Sequence, residues 1–157
     1  MAKRAPMDRP TFTRAGQADR EAAWAIVDEY CRAVDVVVRD EPADFDRYFD
    51  EGSGIWLARA GDTVVGCIAL RPLPAIARDA GEIKRLYVRP QARGNRLADG
   101  LLDALETYAA LHCRGLYLDT KDDLVAAIRF YERRGYMRIP RYNDNPQATI
   151  FMRRMLV

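Results

Sequence analysis

Five basic side chains and no acidic one lie between residues 84 and 96, directly before a helical pattern. They are Lys84, Arg85, Arg89, Arg93 and Arg96, which predicts that positive potential is concentrated at one place. The segment GEIKRLYV is typical of a strand, and Pro90 ends it. A strand that leads straight into a helix leaves the first helical N–H groups without partners, at the positive end of the helix dipole. This turn is therefore predicted to bind a small polyanion, such as a phosphate group.

Small side chains are favoured where a ligand must approach the backbone closely, and Gly94 and Ala98 meet that requirement. The surrounding sequence EIKRLYVRPQARGNRLADGLL resembles the acetyl-CoA-binding segment of the GNAT family of N-acetyltransferases. That segment has the motif R/Q-x-x-G-x-G/A, in which Arg93 matches the first position and Ala98 the last. Further along, LYLDTKDDLVAAIRFYERRGY resembles the next strand and helix of the same family. The similarity covers at least residues 55–136, and it occurs in two separate segments in the right order.

The resemblance implies that acetyl-CoA is the co-substrate and that the strand at Leu86–Val88 diverges from its neighbour. The amide of Val88 would then polarise the thioester carbonyl. The residues implied to bind the cofactor are Leu86, Tyr87, Val88, Arg93, Gly94, Asn95, Arg96, Leu97, Ala98 and Asp99.

Two positions depart from the family pattern. Arg96 stands where glycine is usual: its Cβ costs little if the backbone there is helical, whereas a positive φ would count against tight binding of the cofactor. Its guanidinium then either reaches a phosphate of CoA or is an exposed arginine on the first helical turn. An asparagine that the family often carries seven residues before the tyrosine of FYERRGY is replaced near Leu124, which removes one expected hydrogen bond to the cofactor.

Two residues are candidates for acid–base catalysis. An amine nucleophile with a pKa near roughly 10.4 must lose a proton before it attacks. Glu82 matches a family position that often carries the base, and its even offset from Val88 predicts that both side chains share one face. The alternative is a surface acid paired with Lys84. Tyr131 matches the family's proton donor to the departing thiolate, and the alternative is an aromatic core residue.

Five residues are candidates for binding the acceptor: Phe45, Arg71, Tyr142, Asn143 and Asn145. The polar segment PRYNDNPQ supplies the last three, because loops often carry function; an ordinary Asn/Pro turn is the alternative. Arg71 is a candidate partner for a substrate carboxylate. For Phe45 the alternative is core packing.

The elements that must position these residues indicate an α/β fold in the order βααβββαβαβ. We expect a mixed, mostly antiparallel sheet with helices on both faces. Gly61-Asp62 is predicted to close a hairpin, a helix to run from about residue 94 to 113, and Gly135 to end the last helix. Residues 1–10 are expected to form a flexible tail before a single domain at 11–157, whose final strand is available to pair in a homodimer.

The chain has 157 residues and a formal net charge of +2, and this small charge does not predict nucleic-acid binding. A nucleic-acid-binding module that uses the arginine cluster is nevertheless an alternative. No cysteine–histidine cluster has metal spacing, so no metal is expected. Three scattered cysteines favour a reducing, cytoplasmic location, and no apolar run is long enough to span a membrane.

The function implied by the resemblance is acetyl transfer from acetyl-CoA to a primary amine of a small molecule or peptide, by direct attack in a ternary complex. A non-catalytic acyl-CoA sensor of the same fold is the alternative.

Overall fold

A computed structural model describes residues 9–37 and 39–156, which form one seven-stranded sheet in the order β1-β2-β3-β4-β5-β7-β6. The strands are β1 Pro10–Arg14, β2 Gly54–Ala60, β3 Thr63–Pro72, β4 Ala80–Val88, β5 Gly115–Thr120, β6 Met137–Ile139 and β7 Ile150–Met155. The helices are α1 Arg20–Ala33, α2 Pro42–Asp46, α3 Leu97–Ala109 and α4 Val125–Arg133. Within the described chain only β4 and β5 pair in parallel, so the predicted mixed, mostly antiparallel α/β fold is confirmed.

Helices cover both faces of the sheet, because the inner strands bury side chains on both sides. On β3, Ile68 and Leu70 pack in the core that contains α3, whereas Cys67 and Ala69 pack in the core that contains α1. All four residues are essentially inaccessible to solvent. The sheet therefore separates an α3/α4 face from an α1/α2 face, and any site that uses both must pass through it.

Glycine conformations explain two of the predicted boundaries. Gly61, with φ of +60°, lies in the two-residue connection of the β2–β3 hairpin, and Gly135, with φ of +91°, follows α4. Both predictions are confirmed. The predicted helix over 94–113 was too long at each end, since α3 begins at Leu97 and ends at Ala109.

The predicted order lacked one strand. The three residues of β6 pair with β7 and form the edge of the sheet, so that β7 lies between β5 and β6. The expectation that the final strand is free to pair in a homodimer was therefore wrong. Residues 1–8 of the predicted tail lie outside the described residues, and β1 begins at Pro10. No helix of the described chain is both long and apolar enough to cross a membrane.

Candidate active site

The two parallel strands separate in the middle of the sheet. β4 and β5 pair at only three positions, the last of which joins Glu82 to Tyr117. Beyond that pair β4 continues to Val88 beside β3, whereas β5 continues to Thr120 beside β7. An opening therefore forms between the carboxyl ends of the two parallel strands, which is the divergence that the sequence resemblance implies.

A β-bulge in β4 changes which side chains share a face. The pairing of β3 with β4 shifts between Cys67 and Ala69, and Arg85 adopts a left-handed φ of +60° at this shift. The extra residue resets the alternation of side chains. Glu82 and Val88 pair with β3 residues that are five positions apart, so they lie on opposite faces. The predicted common face was wrong for this reason.

The peptide of Val88 faces the opening. The N–H group of Arg89 donates to the carbonyl oxygen of Val65 at 2.8 Å, across the β3–β4 pair. Because antiparallel hydrogen bonds alternate along a strand, the N–H and C=O groups of Val88 point away from β3. Arg93 Nε donates to the Val88 carbonyl oxygen at 3.1 Å, which connects this strand end to the turn before α3.

The turn before α3 has an unusual backbone. Gly94 has φ of +88° and open space around the position of a Cβ, and Arg96 is the N-cap of the helix with φ of +56°. Of the two backbone conformations considered for Arg96, the structure has the one with positive φ. A left-handed conformation costs a residue with a side chain roughly 1–2 kcal/mol, which is a physical reason for glycine to be usual at this position.

The helix start offers backbone donors to an anion. The first amide with an intrahelical acceptor is that of Gly100, which donates to the carbonyl of Arg96 at 3.2 Å. The amides of Leu97, Ala98 and Asp99 precede it and belong to the set that an α-helix leaves without intrahelical partners. Leu97 itself is buried in the core, so its side chain anchors the helix and only its backbone is available.

The side chains around this turn are exposed and mostly basic. Arg93, Gly94 and Arg96 are exposed, and the Asn95 amide donates to the Ala92 carbonyl at 2.9 Å, which stabilises the turn. The carboxylate of Asp99 already pairs with Arg134 at 3.2 Å. An open, cationic turn with three available amides fits the diphosphate of CoA.

The basic cluster is divided between two environments. Lys84 and Arg85 lie on the α1/α2 face and pair with acids, since Lys84 Nζ is 3.6 Å from Glu82 and Arg85 is 3.4 Å from Asp40. Arg93 and Arg96, the last two members of the cluster, lie at the turn before α3. The prediction of one concentrated positive potential from residue 84 to 96 was therefore wrong.

Glu82 is the most buried acid near the opening, with 2% of the residue exposed. Tyr142 donates its hydroxyl to Oε2 at 2.8 Å, and Arg71 Nε donates to Oε1 at 3.1 Å. Burial, reinforced by the Glu82 carboxylate, raises the pKa of Tyr142, which keeps that hydroxyl protonated as a donor. Burial lowers the pKa of Lys84, and Glu82 opposes this effect. Three predicted residues thus meet in one hydrogen-bonded cluster.

A cavity of about 980 Å³ lies on the α1/α2 face beside this cluster. Arg71, Asn143 and Asn145 line it, together with Asp119 at the end of β5. The side-chain amide of Asn143 donates to Asp119 Oδ2 at 2.6 Å, and the amide nitrogen of Asn145 is 3.4 Å from both carboxylate oxygens. The loop before β7 is therefore attached to the cavity wall by asparagine–aspartate hydrogen bonds.

Phe45 does not line this cavity. It is fully buried, and its ring packs against those of Trp24, Tyr48 and Phe49. The suggestion that it binds substrate was wrong, because α2 directs this ring into the core. Tyr48, one helical turn later, reaches the cavity instead.

Sequence reasoning did not select several side chains that line the cavity, namely Asp40, Lys84, Arg85 and Asp119. The signal for Lys84 and Arg85 was present, because both adjoin Glu82 on a strand whose residues are otherwise apolar. No local pattern distinguishes Asp40 or Asp119 from surface acids.

Tyr131 lies on α4 in the α3/α4 core, with 5% of the residue exposed, and its ring packs against Phe130 and Tyr136. Burial raises its pKa well above the ordinary value, and Tyr136 and Tyr30 add to the rise. Tyr30 belongs to α1 on the other face of the sheet. Tyr131 and Tyr30 therefore lie on opposite faces of the sheet.

Comparisons with known proteins agree with this arrangement. The profile of the acetyltransferase (GNAT) family matches residues 21–136. An uncharacterized N-acetyltransferase of Schizosaccharomyces pombe is 33% identical over 121 residues, which are 75% of this chain and 73% of that protein. A GNAT acetyltransferase from Staphylococcus aureus Mu50 superposes with a TM-score of 0.80 at 21% identity, covering 95% of this chain and 100% of that one.

The Salmonella typhimurium protein yncA, solved with its cofactor acetyl-CoA, superposes with a TM-score of 0.74 at 19% identity over 94% of each chain. The chain belongs to the GNAT acetyltransferase family. It is an acetyl-CoA-dependent acyltransferase, as the members of this family are.

Proposed function

We propose that the protein transfers the acetyl group of acetyl-CoA to a primary amine of a small molecule or peptide, by direct attack in a ternary complex. The observation that carries this proposal is the opening between β4 and β5. The phosphate-binding turn leads to it through the contact of Arg93 with Val88. Glu82 lies at the last β4–β5 pair, and the next residues of β4, Ile83 and Lys84, line the cavity.

The turn before α3 holds the cofactor in this proposal. The amides of Leu97, Ala98 and Asp99 donate to the diphosphate, and Arg93 and Arg96 add positive charge. The backbone of residues 86–88 pairs with the pantetheine arm. Bound acetyl-CoA supplies the acetyl group as an activated thioester. The N–H of Val88 is the donor for the developing negative charge on the carbonyl oxygen, and one such donor contributes roughly 10²–10³ in rate.

Two side chains transfer protons in the proposed reaction. Glu82 accepts a proton from the attacking amine, directly or through a water molecule, and Arg71 and Tyr142 fix its carboxylate for this step. Tyr131 donates its proton to the departing thiolate. Its raised pKa keeps the hydroxyl protonated at neutral pH, as a proton donor requires.

Direct attack is favoured over an acyl-cysteine route. All three cysteines are free thiols, and burial raises the pKa of each of them. Thiols of this kind are poor nucleophiles at neutral pH because little thiolate forms. Free thiols also support the proposal of a cytoplasmic location.

One observation favours a second candidate, an acyl-CoA sensor without turnover. Arg71 and Lys84 both approach Oε1 of Glu82, and Tyr142 occupies Oε2, so the proposed base is engaged on both oxygens. Calorimetry with acetyl-CoA and release of free CoA thiol with a panel of amines distinguish the two. Binding without release on any amine identifies a sensor.

The kinetic mechanism has its own test. Initial rates at several fixed concentrations of each substrate are expected to give intersecting double-reciprocal lines, as a ternary complex requires. Parallel lines, together with an acetylated protein in mass spectra, would contradict direct attack.

A further inference from the structure

Two residues that line the cavity beside Glu82 each have a buried polar atom without a hydrogen-bond partner. These atoms are the hydroxyl oxygen of Tyr48 and the Nε atom of Arg85. Tyr48 is 3% exposed and the side chain of Arg85 is 9% exposed, so solvent does not satisfy either group. Buried polar groups in proteins almost always have partners, because leaving one unsatisfied costs about 1–3 kcal/mol. Of the three such atoms in the described chain, the Tyr136 hydroxyl lies on the other face of the sheet, and the two that belong to one cavity wall point to a ligand there.

The conformation of Arg85 adds to this indication. The residue lies at the bulge of β4 with φ of +60°, a conformation that costs a residue with a side chain roughly 1–2 kcal/mol. The Sγ atom of Cys67 donates to the Arg85 carbonyl oxygen at 3.2 Å and stabilises the bulge. The bulge adds Arg85 to Lys84 on the cavity side. The left-handed conformation of Arg85 therefore costs free energy, and it places a buried guanidinium next to the proposed base.

The charge around Arg85 defines the ligand. Its terminal nitrogen is 3.4 Å from the carboxylate of Asp40, which neutralises part of its charge. A guanidinium has five N–H donors, so further donors remain for a second acceptor. Because Asp40 already supplies one negative charge, a singly charged anion fits this place better than a phosphate dianion. Such an anion needs two oxygens, one for Nε of Arg85 and one for the hydroxyl of Tyr48, and a carboxylate has both.

The opposite charge lies elsewhere on the same wall. Asp119 lines the cavity at the end of β5 with its carboxylate held by Asn143 and Asn145, and Glu82 lies at the point where β4 and β5 separate. Arg71 and Lys84 pair with Glu82 and offset its charge. Asp119 is therefore the acid that attracts a cationic amine, whereas Arg85 attracts a carboxylate. The cavity wall therefore offers a place for each charge of a molecule that carries both groups.

We propose that the acceptor is an amine that also bears a carboxylate, such as an amino acid, and that Arg85 Nε and the Tyr48 hydroxyl bind that carboxylate. This inference rests on the proposed acetyl transfer, because it names the class of acceptor for the same site. Both donors are specificity determinants, and neither takes part in the proton transfers assigned to Glu82 and Tyr131.

Matched acceptors test the proposal. Each α-amino acid of a panel is compared with its carboxamide, which keeps the amine and loses the negative charge. The kcat/KM for release of CoA thiol is expected to be at least about tenfold higher for the best acid than for its amide. Equal values for acids and amides would overturn the proposal.

Tyr48→Phe is the sharpest variant, because it removes a hydroxyl that has no hydrogen bond in the free protein. The preference for the acid over the amide is expected to fall by about tenfold, while kcat/KM for the amide changes by less than about twofold and the melting temperature does not decrease. Tyr136→Phe, a change of an equally buried tyrosine on the other face of the sheet, is the control and leaves the preference unaltered. A lower melting temperature with an unchanged preference in Tyr48→Phe would show that the hydroxyl is structural and overturn the proposal.

Failure of the proposal and failure of the proposed function give different results. Calorimetry of the CoA-bound protein with each acid and amide measures binding without requiring turnover. Selective binding of acids that Tyr48→Phe abolishes supports the carboxylate site even if no thiol is released, in which case the acetyl-transfer proposal fails alone. Turnover with amines that lack a carboxylate, at rates equal to the acids, overturns the carboxylate site alone.

Discussion

The two halves of the site are built differently. The turn before α3 is a contiguous, exposed segment that offers backbone amides, with two left-handed residues at Gly94 and Arg96. The cavity beside Glu82 is instead lined by charged side chains that come from β3, β4, β5, the segment after α1 and the loop before β7. In the proposed function, the turn binds the cofactor mainly through backbone amides, whereas the cavity recognises the acceptor through side chains.

Among the single changes that test this difference, Glu82→Gln should have the largest effect. It keeps the shape of the side chain and removes the proposed base, so kcat is expected to fall by roughly 10²–10⁴. The Kd for acetyl-CoA, measured by calorimetry, should remain within about twofold, because the turn is a separate unit. Tyr142→Phe, which removes one donor to Glu82 and keeps its charge, is the matched control and should lose less activity. A rate within about threefold of the unmodified enzyme would remove Glu82 from the mechanism.

Tyr131→Phe is expected to lower kcat by about tenfold to a hundredfold. The loss is smaller than for Glu82 because a thiolate, with a thiol pKa near roughly 8.5, leaves without full protonation. Burial raises the pKa of Tyr131 well above its ordinary value, so ionisation of Tyr131 does not cause any change in kcat between about pH 6 and pH 9. Tyr136→Phe controls for loss of a buried hydroxyl in the same core. An unaltered kcat would show that Tyr131 is a core residue.

The same contrast explains what could be predicted from the sequence. The turn was recognisable because strand, glycine, basic residues and helix follow one another within one segment. The sequence analysis selected Glu82, Arg71 and Tyr142 one at a time. Their contact with each other depends on β4 lying between β3 and β5, and no local sequence pattern predicts that strand order. The bulge at Arg85 has no glycine or proline to mark it, so the predicted alternation along β4 failed there. The short strand β6 was hidden because three residues give too little periodicity to separate a strand from a loop.

Gly94→Glu should weaken the turn and leave the cavity unchanged. A carboxylate placed beside the diphosphate is expected to raise the Kd for acetyl-CoA by more than about tenfold. Gly94→Ala is the matched control, because both variants incur the left-handed penalty of about 1–2 kcal/mol in unfolding free energy, and only one adds charge. Denaturant unfolding should therefore give similar losses for both, whereas calorimetry separates them. Equal affinities for the two variants would mean that the phosphates do not lie at this turn.

Arg96→Gly is expected to have the smallest effect, and it separates the backbone of the turn from its charge. Glycine accepts φ of +56° without a steric penalty, so the free energy of unfolding should rise by about 1 kcal/mol. Loss of an exposed cation, which contributes up to about 1 kcal/mol to an ion pair, should raise the Kd for acetyl-CoA by about fivefold or less. Arg96→Ala keeps the strain and loses the charge, so it should match the glycine variant in affinity but not in stability. If both variants bind acetyl-CoA as tightly as the unmodified protein, the helix amides bind the diphosphate without Arg96, and recognition of the cofactor depends on backbone alone.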